Sequence, residues 1–249
     1  MRARHRHFTY GAVENARLAL DSRYIHQSDN TEVSPWSDRS RSGNDVSQAT
    51  AANRPTFQTA EQGGNGVVRF DGSNDVLTRN EIAISSPVGG TLFIFVKRAT
   101  GSTGEFLTAV EVPEYLRFVL STTATSITTV GVNFIGYPDN GTSVVNITQG
   151  FGMSTDSYFL AALNYNGSTA SVASSYTLSI NGRQQTIAQN GANSGLGRGS
   201  TVGIGARGTA AGHCGCDMGV VAVFGVDLAA PIRKRIENAI AFSFKHSIN

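Results

Sequence analysis

The sequence predicts an all-β fold, a sandwich of antiparallel sheets with one helix at its end. Three observations predict it. From residue 66 onward short apolar runs follow one another, parted by Gly, Asn, Asp, Pro and Ser. Charged residues make up only 15% of the 249-residue chain, and glycines number 28, the composition of a loop-rich β protein. Helical periodicity occurs once, after Pro231.

Residues 1 to 60 are polar and irregular, and within them only "ARLAL" (16 to 20) reads as a strand. The single tryptophan, Trp36, lies in "VSPWSDRS". "SQATAANRPTFQTAEQGGNG" holds Pro55 and three glycines and reads as a long surface segment. "GVVRF", "DVLTRNEIAI", "TLFIFVKRA", "EFLTAV", "YLRFVLST" and "TSITTVGVNFI" then read as strands. "SVVNIT", "SYFLAALNYN", "SYTLSING", "RQQTIAQ", "TVGIGAR" and "MGVVAVFGV" continue the series. Short strands at this spacing suit a sandwich or barrel. The near-continuous "TLFIFVK" predicts a strand buried on both faces. Asn181-Gly182 predicts a tight hairpin, because both residues tolerate the positive φ of its central positions. In the last element Ile232, Ile236, Ala239, Ile240 and Phe244 fall at helical spacing, with Arg233, Lys234 and Arg235 on the solvated side.

Net charge is +2, so nothing in the whole chain favours direct nucleic-acid binding. The charge is uneven, however. "MRARHRH" opens the chain, and residues 1–15 are read as a basic N-terminal arm ahead of a single domain, 16–249. Arg2, Arg4 and Arg6 are its candidate partner contacts. No run reaches the roughly 18 to 20 apolar residues of a membrane span. The arm is not followed by the apolar core of a signal peptide, so synthesis in a host cytoplasm without secretion is expected. Asn-x-Ser/Thr matches at Asn140, Asn146 and Asn166 read as polar loops and strand faces.

Candidate chemistry is sparse. Cys214 and Cys216 are too few and too close for a disulfide framework. With His213 and Asp217 they could surround a metal, but two free thiols near a strand start is the favoured reading. "VVRFDGSNDVL" gathers Asp71, Asn74 and Asp75 within one turn. Gly72 follows the first acid, and position 82 is Ile where a calcium loop of the EF-hand type needs a distal Glu. The preferred reading is a strand, Val67 to Phe70, ending in a polar turn; a structural calcium near Asp71, Asn74 and Asp75 stays the alternative. No other cofactor is expected. Glu111 and Glu114 stand at i, i+3, on opposite faces of a strand, and Asp75 and Glu81 lie about 20 Å apart along one. Neither pair suits acid–base work, so no catalytic residue is assigned. No nucleophile elbow or phosphate loop is present, and "GLGRGSTVGIG" leads into a strand rather than a helix.

Three stretches in order carry a resemblance. They are "WSDRSRSGNDVSQATAANRPTF" followed by "GNGVVRFDGSNDVL", then the "SINGRQQ" hairpin, then "DMGVVAVFGVDLAAPIRKRIENAIAFSFKH". Together they resemble the laminin-G-like branch of the concanavalin A-like lectin/glucanase superfamily, in the form found in bacterial surface proteins and bacteriophage structural proteins. Arg41 and Ser42 extend the usual Ser-Gly-Asn of the first motif. The resemblance implies a jelly-roll sandwich of two antiparallel sheets. It also implies a non-enzymatic virion protein, namely a capsid decoration (cement) protein on the capsid exterior. Such a protein binds the major capsid protein or another virion protein as a homo-oligomer, a trimer being compatible with a capsid lattice. The alternative is a glycan-binding adhesin or receptor-binding module of a phage tail or cell surface. Its contacts to a host glycan would be Trp36, Tyr137, Asp139 and Asn140, a set of aromatic, amide and carboxylate groups suited to sugars, although core or loop packing is the favoured reading of Trp36, whose flanking motif looks structural. A polysaccharide hydrolase is the third reading.

Overall fold

The computed structural model describes residues 15–80, 82, 89–99, 156–166, 174–186, 201–206 and 212–248 in full, and only the backbone of 104–110, 117–122, 131–136, 145–150 and 173. The strands begin with β1 (Ala16–Asp21), β2 (Thr31–Glu32), β3 (Thr56–Gln62), β4 (Asn65–Asp71), β5 (Leu77–Asn80) and β6 (Gly90–Arg98). Next come β7 (Gly104–Val110), β8 (Arg117–Thr122), β9 (Gly131–Gly136) and β10 (Val145–Gly150). The last are β11 (Tyr158–Tyr165), β12 (Tyr176–Ile180), β13 (Arg183–Gln185), β14 (Thr201–Ile204) and β15 (Gly215–Phe224), followed by helix α1 (Ala230–Ser243).

Among the described residues these strands form two antiparallel sheets. The nine-stranded sheet runs β13-β12-β11-β6-β15-β4-β3-β2, with β1 also paired to β15. The six-stranded sheet runs β10-β9-β8-β7-β14-β5. β15 is central: residues 215–218 pair with β4 and residues 220–224 with β1, while β6 follows its other side. The predicted β-sandwich with a terminal helix is therefore present.

Two apolar layers result. Leu92, Ile94 and Val96 point into the space between the sheets, where they join Leu77, Val202 and Ile204 of the smaller sheet. Phe93 and Phe95 point the other way, beneath Ile236, Ile240 and Phe244 of α1. Strict alternation with both faces covered explains why "TLFIFVK" reads as one apolar run. In β15 the register shifts between Met218 and Val220, at Gly219. A Cβ there would stand 2.9 Å from both the Phe244 and Phe95 rings. The glycine thus lets those rings approach to 4.7 Å between centroids.

Several boundaries differ from the sequence reading. The expected surface segment 47–66 contains β3, and its Phe57 is buried in the core. In the span read as "DVLTRNEIAI", Asp75, Val76 and Ile82 lie outside a strand and β5 covers Leu77–Asn80 among the described residues. α1 buries Ile236, Ile240 and the following Phe244, but Ile232 is 39% exposed. α1 is 14 residues long, and no helix among the described residues is long and apolar enough to cross a membrane.

The end of α1 is fixed by the β3–β4 hairpin. Asn65 Nδ2 donates to the Ser243 carbonyl at 2.7 Å, and Gln62 Nε2 to the Phe244 carbonyl at 3.2 Å. These amides engage carbonyls that a helix end leaves without intrahelical donors. Gly63 sits between them at φ +64°, and a Cβ on it would lie 2.4 Å from the Phe244 carbonyl oxygen. Gly63→Ala is therefore expected to cost about 2–3 kcal/mol, combining left-handed backbone strain with a clash against backbone. Urea denaturation of the variant checks this, with Gly64→Ala as comparison, since that site meets nothing within 4 Å.

Candidate functional site

The motif that contains Trp36 is a clamp on the edge of the larger sheet. Trp36 and Val46 pair through both backbone groups, and the indole is buried at 1% exposure. The structure thus places Trp36 in the core, where its ring has no open face for a sugar to stack on. Two residues on, the Asp38 carboxylate accepts from the backbone N–H groups of Ala19, Ser40 and Asn44, each at 2.8 Å, and from Ser40 Oγ at 2.6 Å. Asn44 Nδ2 donates to the Arg17 carbonyl and Ser42 Oγ to the Ala16 carbonyl. Side chains of 38–44 so engage backbone groups of β1 that β15 does not reach, which closes an edge open to foreign strands. Ser42 belongs to the extension of the motif and supplies one of these bonds.

The acidic turn is also built for the backbone. Asp71 Oδ1 accepts from the N–H groups of Ser73 (2.8 Å), Asn74 (3.2 Å) and Asp75 (3.3 Å), and Gly72 takes φ +80°. Asp75 Oδ2 accepts from the Asp71 N–H at 2.9 Å, while the Asn74 amide turns to the Ala52 carbonyl. Burial pushes the Asp71 carboxyl up, but the three N–H groups outweigh it and hold it below the usual range. Burial and the neighbouring Asp71 charge raise Asp75. The three proposed calcium ligands therefore spend these oxygens and the amide on the turn. Among the described residues, no three or more His, Cys, Asp or Glu side chains converge as a metal set. Asp71→Ala should cost about 1–2 kcal/mol, the scale of a lost side-chain cap, read as a lowered urea midpoint.

Cys214 and Cys216 are both free thiols buried in the core, and burial drives Cys216 far toward the protonated form. His213 places Nδ1 at 3.1 Å from the Asp75 carbonyl oxygen. An inert thiol pair agrees with that environment better than a nucleophile does.

One polar assembly went unassigned in the sequence. On the outer face of the nine-stranded sheet, cross-strand register sets Arg69 opposite Asp217, Asp217 opposite Lys97, and Lys97 opposite Tyr158. Four neighbouring strands thus contribute one row. Arg69 Nε and Nη2 grip the two Asp217 oxygens at 2.6 and 2.8 Å, and Lys97 Nζ reaches Oδ2 at 2.7 Å. Arg69 also donates to Glu61 at 3.0 Å and to Gln58 at 3.1 Å. Tyr158 stacks on Phe95 at 5.3 Å, with Lys97 over its other neighbourhood at 5.2 Å from the ring centroid.

The electrostatics are one-sided. Burial raises the Asp217 carboxyl, but the hydrogen bonds and charges of Arg69 and Lys97 prevail and hold it low. The bond to Asp217 raises the Arg69 guanidinium, and burial raises the Tyr158 phenol well above its usual range. Asp217, Arg69 and Tyr158 are thus held in their ordinary charge states at neutral pH. Shifts in these directions disfavour proton exchange by the three groups, and the row presents fixed donors and acceptors at a part-exposed surface. The Arg69 side chain is 39% exposed. No local sequence pattern marks this row, because its members lie in four separate strands.

The remaining expected contacts lie outside the described residues. These are Arg2, Arg4 and Arg6 of the arm, and Tyr137, Asp139 and Asn140 in the segment joining β9 to β10; Glu81, Glu111 and Glu114, to which no role is assigned, lie outside them as well.

No protein-family model matches the chain, and no curated protein matches it either. Solved structures do. The binding domain of Paraclostridial Mosquitocidal Protein 1 aligns at 12% identity and TM-score 0.58, over 91% of this chain and 52% of that one. The receptor binding domain of botulinum neurotoxin D aligns at 11% and 0.59, over 91% and 53%. Trypanosoma rangeli sialidase in complex with sialic acid aligns at 12% and 0.53, over 94% and 34%. The chain spans about half the length of the two binding domains. At these identities the likeness is one of fold: the chain is a lectin-like jelly-roll β-sandwich of two antiparallel sheets.

Proposed function

We propose that the chain is a non-catalytic recognition module that binds a glycan, or a receptor carrying one, on the surface of the sandwich. The observation that carries this reading is the state of the acids in the sites described above. Asp38, Asp71 and Asp217 are each tied to backbone N–H groups or cations, and Asp75, although raised by burial, spends Oδ2 on the Asp71 N–H inside its own turn, so none is presented to a substrate. A retaining or inverting glycosidase needs one protonated and one free carboxylate flanking a cleft. Fixed polar groups on a rigid sheet suit recognition instead. The fold shared with domains named for binding and receptor binding supports the same reading. A glycan array probed with the full chain tests it: selective, saturable binding is expected. Uniform failure to bind, or cleavage of the bound sugar, would refute it.

A second reading places the module on a virion, as a capsid decoration protein on the capsid exterior. The "WSDRSRSGNDVSQATAANRPTF" resemblance to sandwiches of bacteriophage structural proteins favours it. In this reading Arg2, Arg4 and Arg6 meet acidic surface on the major capsid protein or another virion protein, and a homo-oligomer multiplies weak contacts. Deleting residues 1 to 7 should release the chain from such particles while leaving its thermal transition unchanged; retained attachment would count against the arm.

A further inference from the structure

The clamp that seals β1 carries two arginines whose side chains the seal does not use; Arg39 gives it only its backbone N–H, to the Ala19 carbonyl at 2.7 Å. Asp38, Ser40, Ser42 and Asn44 bond inward, and the residues between them, Arg39 and Arg41, are exposed. The Arg39 guanidinium lies 4.4 Å from the Tyr24 ring centroid, and Arg23 lies 5.9 Å from the same ring. Arg79 reaches the loop from β5, donating through Nη1 to the Gly43 and Asp45 carbonyls at 3.2 and 3.3 Å. Arg17 lies beside it, its carbonyl held by Asn44.

Charge is unbalanced here. Arg23 is paired with Asp21, but Arg17, Arg39, Arg41 and Arg79 make no ion pair among the described residues. Within the loop Asp38 is taken by N–H groups and Ser40, and the exposed Asp45 accepts from the Asp38 N–H through Oδ1, so two carboxylates stand against these four arginines. The Nε atoms of Arg17 and Arg79 are buried without a hydrogen-bond partner. On the outer sheet face, by contrast, Arg69 is neutralised by Asp217 and Glu61.

We infer that this arginine rim beside Tyr24 is an anion-binding surface whose ligand is an acidic glycan, one bearing carboxylates or sulfates. The inference rests on the glycan-binding reading above and gives it a site and a ligand class. A guanidinium presents paired N–H donors that match an oxyanion in two-pronged fashion. Stacking on Tyr24 holds Arg39 in place before any ligand arrives, so little side-chain freedom is lost on binding. A nucleic acid fits less well. The Tyr24 ring at the rim already carries a guanidinium, and the chain's net charge is only +2.

The test measures binding of the full chain to immobilised hyaluronate (carboxylate), heparin (carboxylate and sulfate), neutral dextran and a duplex DNA. Wild type is expected to bind hyaluronate, heparin or both, more weakly as salt rises. The double variant Arg39→Ala/Arg41→Ala should lose about tenfold or more in affinity, the scale of a charged hydrogen bond. Arg39→Lys should fall between, keeping charge without the fork. Arg183→Ala should bind as wild type, since β13 lies five strand spacings, about 24 Å, from β1. Unchanged affinity in both Arg39 variants, an equal loss in Arg183→Ala, or tighter binding to DNA than to either acidic glycan would each overturn the inference. Binding to neutral sugars alone would overturn it and leave the recognition reading standing. Binding to no glycan would overturn both.

Discussion

Trp36→Ala is expected to destabilise the domain by about 3–5 kcal/mol, the range for truncating a large buried aromatic. Trp36 is 1% exposed and belongs to the cluster that fills the space between the sheets. Its backbone is the first rung of the Trp36–Val46 bridge, two residues before the Asp38 clamp. A cavity at this point therefore loosens the segment that seals β1 as well as the core. Trp36→Phe should cost clearly less, because the indole Nε1 is buried with no hydrogen-bond partner to lose. Urea denaturation gives both values. In the refolded variants, glycan binding should persist at concentrations of denaturant that leave the domain folded. Selective loss of binding by a stable Trp36→Phe protein would return the residue to the ligand site.

Asp217→Ala carries the next largest effect, about 2–4 kcal/mol. Removing one partner of a fully buried ion pair costs more, because the remaining charge is stranded. Here the Arg69 side chain is 39% exposed and Lys97 20%, so both can turn partly to water, and the loss is discounted accordingly. The pH dependence has a definite sign. Asp217 is held below its ordinary value, so its stabilisation is complete above the unfolded carboxyl pKa of about 4 and fades as pH falls through the lower folded value. The stability gap between wild type and variant should thus be full at neutral pH and shrink steadily below about pH 4. A gap that did not change with acid would mean that Asp217 acts through packing rather than charge.

Much of the architecture was legible in local residue order. Asn181-Gly182 forms the β12–β13 turn with φ of +50° and +77°, as its residue types require. "ARLAL" became β1, and "TLFIFVK" became a strand covered on both faces. The acidic turn after Phe70 is where a strand ends, and Asp71 performs the turn bonding that its position suggested. β3 was missed because Pro55 and nearby glycines masked a strand whose only core residue of note is Phe57.

What local order could not supply was register. Arg69, Lys97, Tyr158 and Asp217 become neighbours only when β4, β15, β6 and β11 align. The Asp38 carboxylate likewise meets the Ala19 N–H across 19 residues of chain. Trp36 shows how core packing prevails over a sugar-site reading of the same residues. An aromatic beside polar residues suits a sugar site chemically, yet those polar groups bind the edge of a sheet, and the ring follows them inward.

In the proposed function this sandwich binds a sugar without transforming it. The most direct measurement is saturation binding of the best array glycan, followed by mass analysis of the sugar recovered after prolonged incubation. Saturable binding with the glycan returned intact is the predicted result. Absence of binding across the array, or recovery of a shortened or otherwise altered glycan, would contradict it.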